Sequence, residues 1–434
     1  MYRNGLLAGA IALACGAVST GAPAYASATA PDKSAASQTV AVPASNSLLG
    51  ATVEDLLAAA HQLNPALRAA ALDTAAMRAK AEGADKLDDP TISDSYQYYK
   101  DPGVFSAHTV TISQAFPLWG KRSLRRDAAL ADVDAARGQE RVAQDELDEK
   151  IKVAYAQYYL TYQNISVNHE VAELAGHMKA AATARYGSGT GDQASVIQAM
   201  GEETAAKLEA VRLQGDLEAA RASLNALIGR TAKAPLAEPV KLRPMPTMDL
   251  STPALVDRAH ATNPNLAATD AAVAAARSRS KLADKAWYPD LTVGAGPIIQ
   301  TNNMPVGFAA TVGINIPVPW GREASGQREA SAQLGASEQR YDAALFEIEG
   351  ALGESVAKLG AARATERLLQ HETMPQAKAT FQTILADYSQ GKGDLTAAIA
   401  AQHQIHDVDL RLLQTQLDEQ VELAAIERLI GGEL

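Results

Sequence analysis

The stretch FPLWGKR, from Phe116 to Arg122, has a near copy about two hundred positions further along the chain. The copy is IPVPWGRE, from Ile316 to Glu323. Both stretches combine a proline, which breaks the hydrogen-bond ladder of a strand, with a tryptophan, a glycine and a basic residue. The repetition raises the question of whether the whole chain is duplicated.

Other landmarks recur in the same order, at offsets that drift only from 199 to 202 positions. They are His61-x-x-Asn64-Pro65-x-Leu67 and His260-x-x-Asn263-Pro264-x-Leu266, Pro90 and Pro289, Tyr186-x-x-Gly189-x-Gly191-Asp192 and Tyr388-x-x-Gly391-x-Gly393-Asp394, and Leu227-Ile228-Gly229 and Leu429-Ile430-Gly431. Order and spacing predict two copies of one unit, over residues 53–233 and 253–434. A proline-rich linker over residues 234–252 joins them.

The composition excludes several classes of protein. Alanine dominates the apolar residues and aromatic residues make up only 5% of the chain, which favours long, closely packed helices over one thick core. A net charge of −11 argues against a nucleic-acid partner, which needs a basic face. The single cysteine, Cys15, excludes an internal disulfide and a cysteine-based zinc site.

The N-terminus is typical of an exported protein. Arg3, the apolar run from Gly5 to Val18 and the sequence Ala24-Tyr25-Ala26 predict a signal peptide over residues 1–26. Lipidation at Cys15 is the alternative. Residues 27–52 are predicted to form a disordered lead-in, and no later segment has 18 uncharged apolar residues, so no transmembrane helix is predicted.

Each repeat is predicted to contain the same elements. A helical stretch of about 35 residues (Val53 to Leu87, and Pro253 to Ala286) precedes two short alternating segments, and a helix of about 65 residues follows (Lys121 to Arg185, and Arg322 to Asp387). A glycine-rich turn and a last helix of about 37 residues close the unit. At 1.5 Å per residue the long helix reaches about 100 Å, which predicts side-by-side packing as a coiled coil.

Four segments alternate between two kinds of side chain and are predicted to be strands. They span about residues 91–99, 108–116, 291–300 and 308–316. In the second, Val110, Ile112 and Phe116 share one face, and threonine and serine share the other. Segments of about nine residues match the length that crosses a bilayer at a tilt. An ordinary half-buried sheet in a soluble protein is the other interpretation.

All three tryptophans lie at strand ends that the topology places on one side. Tryptophan favours the membrane–water interface, and the basic residues after the strands are expected to meet lipid phosphates. The predicted membrane-interface anchors are Trp119, Lys121, Arg122, Trp287, Trp320 and Arg322. Because the smallest closed barrels have about eight strands, four transmembrane strands require that several chains assemble.

In these features the chain resembles the TolC family of outer-membrane efflux factors, from about Val53 to Gly431. The likeness rests on the duplicated helix–strand–strand–helix–helix plan, the strand exit with Trp-Gly-(Lys/Arg), and the Tyr-x-x-Gly turn before a helix that carries Gln198 or Gln402. Within the family, the FPLWGKR exit is most similar to the heavy-metal cation-efflux branch. The resemblance implies a mainly α protein with a transmembrane β part. Three chains would form a 12-stranded outer-membrane β-barrel continuous with a 12-helix periplasmic α-barrel.

The resemblance also implies a function. The homotrimer would be a passive exit duct in the outer membrane of a Gram-negative bacterium and would extend into the periplasm. A periplasmic adaptor (membrane fusion) protein and an inner-membrane resistance-nodulation-division transporter would be its partners. The exported substrate stays open among cations, drugs and polypeptides.

The turns between the long helices are the implied adaptor-docking tips. The tip residues are Tyr186, Gly187, Gly189, Gly191, Asp192, Tyr388, Gly391, Gly393 and Asp394. They also have a structural interpretation, since the glycines permit left-handed turns and the aspartates are good N-caps. The implied aperture positions are Ser195, Gln198, Ala397 and Ala400, and none of them is acidic.

No residue pattern predicts an enzyme, a cofactor site or a metal site. The Gly187-x-Gly189-x-Gly191 sequence lacks the lysine and Ser/Thr of a phosphate-binding loop, and His403-x-x-His406 lacks a third ligand. His61 and His260 occupy matching places, which favours a shared structural role. Two other functions stay open: a soluble periplasmic coiled-coil scaffold and a secreted pore-forming protein.

Overall fold

The computed structural model describes residues 48–98, 106–246, 250–300, 305–390 and 392–434. The predicted signal peptide, Cys15, residues 27–47 of the lead-in, the end of the first predicted strand at Tyr99, and Gly391 lie outside these ranges.

Both repeats follow the predicted order of elements. The first contains α1 (Val53–Leu63), α2 (Pro65–Gly83), β1 (Thr91–Gln97), β2 (Ala107–Phe116), α3 (Lys121–Gly187) and α4 (Gln193–Ile228). The second contains α5 (Thr252–Thr262), α6 (Pro264–Asp284), a 3₁₀ turn (Lys285–Trp287), β3 (Asp290–Gln300), β4 (Gly307–Asn315), α7 (Arg322–Leu368), a π-helical segment (Leu369–Thr373), α8 (Met374–Ser389) and α9 (Leu395–Ile430).

The prediction of one continuous helical stretch at the start of each repeat is wrong. Asn64 and Asn263 are extended, because the proline that follows each of them disfavours the helical conformation. Each asparagine then caps the next helix, and its side-chain amide donates to the end of the last helix of its own repeat: Asn64 to the Leu227 carbonyl at 2.6 Å and Asn263 to the Leu429 carbonyl at 2.7 Å. The Asn-Pro pair thus joins three helices in each repeat.

The two histidines before these asparagines have matching structural contacts, as the sequence predicts. His61 Nε2 lies 2.6 Å from Asp148 Oδ1 on α3. His260 Nε2 lies 3.5 Å from Glu349 Oε1 on α7. Each histidine therefore ties the first helix of its repeat to the long helix.

The long helix of the second repeat contains one more residue than that of the first. Trp119 and Trp320 are 201 positions apart, whereas Tyr186 and Tyr388 are 202 apart. The π-helical segment Leu369–Thr373 lies between these landmarks in the second repeat, and α3 is α-helical throughout. A π-bulge accommodates one additional residue without breaking a helix. It therefore accounts for the change in offset between the repeats from 201 to 202 positions.

The four strands form one antiparallel sheet in the order β1-β2-β3-β4. Its register separates two faces. One row across the sheet is Ile92, Ile112, Ala295 and Ala310, and the adjacent row is Thr91, Ser113, Gly294 and Thr311. The apolar face is solvent-exposed in the single chain: Ile314 is 61% exposed and Phe308 is 74% exposed. The predicted two-faced strands are confirmed, and no helix in the described part of the chain covers Ile314.

One polar pair interrupts the apolar face near the β1 edge. Asp94 Oδ2 lies 3.3 Å from His108 Nδ1, and the His108 ring lies 4.5 Å from the Tyr96 ring, centre to centre. The Asp94 carboxylate therefore has a hydrogen-bond partner on that face.

Two apolar cores of similar composition lie where the first helix of each repeat meets the long helix and the last helix. Leu56, Ile151 and Leu224 are fully buried in the first core, and Leu352 and Ile426 are fully buried in the second. Helical spacing places Val53, Leu56 and Ala60 on the buried face of α1, and Leu255 and Ala259 on the buried face of α5.

Residues 48–52, which the sequence predicts to be disordered, are held by the linker. The N–H groups of Ala237 and Val240 donate to the carbonyls of Leu49 and Ala51, at 2.8 and 3.1 Å. The buried Tyr155 hydroxyl donates to the Ala51 carbonyl, and it lies within hydrogen-bond distance of the Lys241 carbonyl as well. Residues 48–52 and the linker are thereby fastened to α3.

Candidate functional site: the strand exits and the helical tips

The first strand exit is a left-handed turn anchored to the start of β3. Trp119 and Gly120 both have positive φ, 61° and 76°. The Trp119 indole N–H donates to the Pro289 carbonyl at 2.7 Å, and the Leu118 N–H donates to Asp290 Oδ1 at 3.0 Å. The Trp-Gly sequence therefore turns the chain from strand to helix and fixes that turn to the neighbouring repeat.

Lys121 is buried at this junction and does not face lipid phosphates. It is 7% exposed, and its ammonium group donates to the Tyr288 carbonyl and to Asp290 Oδ2, both at 2.8 Å. The prediction of a lipid contact for Lys121 is corrected because two acceptors inside the chain satisfy its charge. Arg122 is half-buried, and its Nε donates to the Asp85 carbonyl at 2.7 Å.

The second exit shares the left-handed glycine of the first but not its left-handed tryptophan, and it has fewer contacts. Gly321 again has a positive φ, 96°, and Trp320 is 89% exposed. Arg322 is exposed as well. Trp287 is 36% exposed, and its indole N–H donates to Gln327 Oε1 at 3.1 Å. Of the six predicted anchors, Trp119, Trp287, Trp320 and Arg322 are thus accessible in the single chain.

The first tip is a tight turn between α3 and α4. The Arg185 carbonyl accepts from the N–H groups of Thr190 and Gly191, each at 3.0 Å, and Gly189 has a φ of 72°. Asp192 Oδ1 accepts from the Ser195 N–H at 3.0 Å. Hydrogen bonds from the Ser195 side chain and N–H lower the pKa of Asp192, so this exposed carboxylate is ionised at neutral pH.

The second tip repeats this geometry between α8 and α9. The Asp387 carbonyl accepts from the N–H groups of Lys392 and Gly393, at 3.0 and 3.1 Å. A Cβ on Gly393 would lie 2.7 Å from the Tyr388 nitrogen, so only glycine fits there. Asp394 Oδ1 accepts from the Thr396 N–H at 3.3 Å. The N-cap interpretation is confirmed for Asp192 and Asp394, and the left-handed turn is confirmed for Gly189, whereas Gly191 and Gly393 do not have a positive φ.

A side chain of the first tip fastens the second tip. Arg185 Nη1 donates to the Tyr388 carbonyl at 3.1 Å, and the guanidinium carbon lies 4.8 Å from the centre of the Tyr388 ring. Tyr388 is consequently 7% exposed, whereas its counterpart Tyr186 is 50% exposed. Beneath the contact, Met178 packs in an apolar cluster with Ile399.

The four predicted aperture positions lie in the first two turns of α4 and α9. Ser195 and Gln198 are half-buried, and Gln198 Oε1 accepts from the Thr396 hydroxyl at 3.4 Å. Ala397 and Ala400 are exposed. These positions therefore present amide, hydroxyl and methyl groups, and the N-cap aspartates lie three positions before Ser195 and Ala397.

The histidines of α9 do not converge on a common point. His403 Nε2 lies 3.1 Å from Glu202 Oε2 on α4, and His406 Nδ1 is buried with no hydrogen-bond partner in the described chain. Over the described ranges, no group of three His, Cys, Asp or Glu side chains is arranged to hold a metal ion.

Sequence reasoning missed a buried ionic cluster that joins the two repeats and the linker. Glu427 Oε2 on α9 accepts from Lys152 Nζ on α3 at 2.7 Å and from Arg243 Nη1 of the linker at 2.6 Å. The side chains are 8% exposed for Lys152 and Glu427 and 11% for Arg243. Because the partners are 184 and 275 positions apart, local patterning gave no signal for them.

Within the described residues, no helix combines the length and the apolar character that crossing a membrane requires.

The model of the outer membrane efflux protein family matches residues 56–230 and 255–432, one match for each repeat. Three solved structures share the fold. The outer membrane protein VceC from Vibrio cholerae is 19% identical, with a TM-score of 0.75 over 88% of this chain and 96% of that one. A membrane protein from Pseudomonas aeruginosa is 18% identical, with a TM-score of 0.77 over 89% of this chain and 91% of that one.

The third is CusC, which forms a transmembrane channel; it is 19% identical, with a TM-score of 0.71 over 89% of this chain and 93% of that one. Identity is thus equal for VceC and CusC, and the match does not single out one branch of the family. No curated protein sequence gives a significant match to the chain.

Proposed function

The chain belongs to the outer membrane efflux protein family, and from that premise we propose that it is the outer-membrane channel component of a tripartite efflux system. It is a passive exit duct rather than an enzyme. A periplasmic adaptor and an inner-membrane resistance-nodulation-division transporter deliver the substrate to it. Heavy-metal cations are the proposed cargo, on the resemblance of the FPLWGKR exit.

The observation that carries this proposal is the sheet with an exposed apolar face and two outer edges. In the described residues, β1 and β4 each pair with one strand only. A four-stranded sheet cannot close, and open edges in lipid leave backbone groups unpaired at a cost of several kcal/mol each. Three copies supply 12 strands, enough for a closed barrel. The small and polar face, with Ser113, Gly294 and Thr311, then lines the duct.

The duplication supports a ring of copies, because surfaces buried in one repeat are exposed in the other. On α9, Ile399 is 4% exposed and packs with Met178 of α3. Its counterpart on α4, Ile197, is 61% exposed, and Val211 on the same helix is 73% exposed. Trp320 likewise has the sequence position of Trp119 without its contact. A second copy that repeats the α3–α9 packing would cover Ile197 and Val211 on α4 with its own α7 and α8.

The tips and the first turns of α4 and α9 are the proposed periplasmic mouth. The tip residues Tyr186, Gly187, Gly189, Gly191, Asp192, Tyr388, Gly391, Gly393 and Asp394 are proposed to meet the adaptor, and Ser195, Gln198, Ala397 and Ala400 to line the aperture. The Arg185–Tyr388 contact supports this assignment, since it fixes the two tips of one chain side by side.

A disulfide test addresses the ring directly. Within one chain, Ser113 of β2 pairs with Gly294 of β3. Between two copies, β4 takes the place of β2 and the partner's β1 takes the place of β3. The corresponding pair is therefore Gly313 and the partner's Ser95. Gly313→Cys with Ser95→Cys, in a background that carries Cys15→Ala, is expected to give covalent dimers and trimers on a non-reducing gel. The control is Gly313→Cys with Tyr96→Cys, which places the thiols on opposite faces. Equal cross-linking of the two pairs, or only monomer in outer-membrane fractions, would exclude the ring.

A deletion strain tests the transport function. Loss of the gene is expected to sensitise the cell to the exported class, and the complementing chain should restore resistance. A panel of heavy-metal salts and of organic drugs separates the two substrate classes. Sensitivity to drugs alone would overturn the metal assignment and leave the channel assignment intact, whereas unchanged sensitivity across the panel together with a soluble periplasmic chain would favour a scaffold.

A further inference from the structure

A carboxyl group without adequate solvation is buried in the second repeat. Glu419 on α9 is 3% exposed, and its Oε1 has no hydrogen-bond partner in the described chain. Buried carboxyl groups are normally ionised only when cations or several N–H donors surround them. Glu419 therefore needs a specific explanation.

The acidic group beside Glu419 is a second carboxyl group. Glu366 on α7 is half-buried, and the charge of its carboxyl group acts on Glu419. Glu366 Oε1 accepts from Gln370 Nε2 at 2.9 Å and from Gln416 Nε2 at 3.0 Å. Two carboxylate anions repel each other strongly in a site that excludes water, so one proton on the pair is favoured. The two glutamine donors stabilise negative charge on Glu366, which assigns the proton to Glu419.

The nearby cations do not neutralise Glu419 in place of that proton. Arg363 is the cation that faces Glu419 from α7, and its Nη2 donates to the Pro246 carbonyl of the linker at 3.0 Å. The linker and α3 contribute Arg243 and Lys152, but both bind Glu427. Burial and the neighbouring Glu366 outweigh Arg363 and hold the pKa of Glu419 well above its ordinary range.

The first repeat provides an internal comparison. Glu366 corresponds to Ile165, 201 positions earlier and before the π-helical segment, and Glu419 corresponds to Leu217, 202 positions earlier. Leu217 is buried in the first core, and Ile165 packs against that core. The same packing position thus carries an apolar pair in one repeat and an acid pair in the other. An apolar pair satisfies the fold, so the acid pair is not needed for packing alone.

The acid pair also lies beside the irregular part of the long helix. Gln370, which donates to Glu366, belongs to the π-helical segment Leu369–Thr373. Short π-helical segments inside α-helices recur at sites that change conformation or bind ligands. The second repeat therefore has an irregular helix, an acid pair and a linker contact at one level, whereas the first repeat has an unbroken helix and an apolar pair there.

We propose that Glu366 and Glu419 form a proton-operated latch. One shared proton holds α7, α9 and the linker together, and its release to solvent as the pH rises leaves two anions in contact and loosens the segment around Leu369–Thr373. The proposal does not depend on the transported substrate. The raised pKa of Glu419 determines how stability depends on pH, because the folded chain holds a proton that the unfolded chain has released. The stabilisation is therefore complete at acid pH and is lost as the pH rises towards that pKa.

Hydrogen–deuterium exchange of the intact protein in detergent tests the latch. After correction for the intrinsic pH dependence of exchange, peptides that cover residues 365–375 and 412–422 are expected to exchange about tenfold faster at about pH 8 than at about pH 5. The corresponding peptides of the first repeat, around Ile165 and Leu217, are the internal control and should change little. Equal behaviour of the two repeats overturns the proposal without any variant.

Two variants identify the groups responsible. Glu419→Gln keeps a donor to Glu366 without a titrating proton, and Glu366→Ile with Glu419→Leu copies the first repeat. Both are expected to remove the difference between the two pH values in the second-repeat peptides and to show the slow exchange of the acid form. Retention of the wild-type pH response in Glu419→Gln would show that other groups cause it. If the double variant does not fold, the single variant and the wild-type comparison still decide.

Discussion

Replacement of Glu427 by glutamine is expected to weaken the joint between the two repeats. The carboxylate accepts from Lys152 at 2.7 Å and from Arg243 at 2.6 Å, and all three side chains are about nine-tenths buried. Glu427→Gln preserves the shape of the side chain and removes its charge. Two buried cations then share one neutral amide, while water cannot reach them freely.

The magnitude follows from the cost of an unpaired buried charge. Removal of one partner from a buried ion pair costs about 3–5 kcal/mol, since the remaining charge stays desolvated. The amide oxygen of glutamine still accepts one hydrogen bond, which favours the lower end, about 3 kcal/mol. Unfolding entropy of about 2.1 cal/mol/K per residue gives about 0.9 kcal/mol/K for a chain of 434 residues, so Tm is expected to fall by about 3 °C.

Thermal unfolding in detergent, followed by circular dichroism at one fixed scan rate, measures this fall. The matched control is Glu354→Gln, which removes an exposed partner of Lys358 on α7. Because solvent screens an exposed pair, its Tm should change by about 1 °C or less. A triple variant with Lys152→Met, Arg243→Met and Glu427→Leu should recover stability, because it leaves no charge unpaired. Equal shifts for Glu427→Gln and Glu354→Gln would refute the argument from burial.

The same melting assay checks three further expectations. An added Cβ on Gly138 would lie 2.6 Å from the Ala268 Cβ, so Gly138→Ala should lower the stability by about 1–3 kcal/mol. Gly176 has open space around it, so Gly176→Ala should raise the stability by about 0.5–1 kcal/mol. The reverse order would contradict this packing. Asn64→Ala should cost about 1–2 kcal/mol through the lost cap and interhelical bond. Burial raises the pKa of Asp145 from 3.8 to about 6. The stability that this group contributes is therefore full below about pH 4 and is lost towards about pH 6. Asp145→Asn should remove this dependence of Tm on pH, and an unchanged dependence would exclude Asp145 as its source.

The strands and the junctions were predictable because their information is local. Alternation over about nine residues identifies a two-faced strand without knowledge of its neighbours, and the sheet register confirms the faces for Ile112 and Ile314. The proline and glycine of each exit stop the strand through their own backbone restrictions. Duplication strengthened each assignment, since every local signal occurred twice.

The charged contacts were not predictable because they join distant parts of the chain. Lys121 follows a strand and precedes a helix, a position typical of an interfacial cation, yet its partner Asp290 lies 169 positions later. Trp119 has a positive φ that sequence patterning does not assign to a bulky residue. Glu419 directly follows the exposed Asp418 on α9, and only the packing of α7 against α9 distinguishes the two acids.

Because the two repeats differ at this position, the acid pair and the apolar pair would alternate around the proposed ring. Three copies would place the Glu366–Glu419 pair at every second position around the helices and the Ile165–Leu217 pair at the positions between. A rise in pH would then loosen three helix pairs and leave three apolar pairs as fixed supports, so the ring could respond without coming apart. The strands lie at the other end of α7, and the acid pair faces the linker and α9, so the barrel itself would not titrate with the latch. A chain with acid pairs in both repeats, made by Ile165→Glu with Leu217→Glu, should therefore lose its trimer at alkaline pH, while the wild type keeps it.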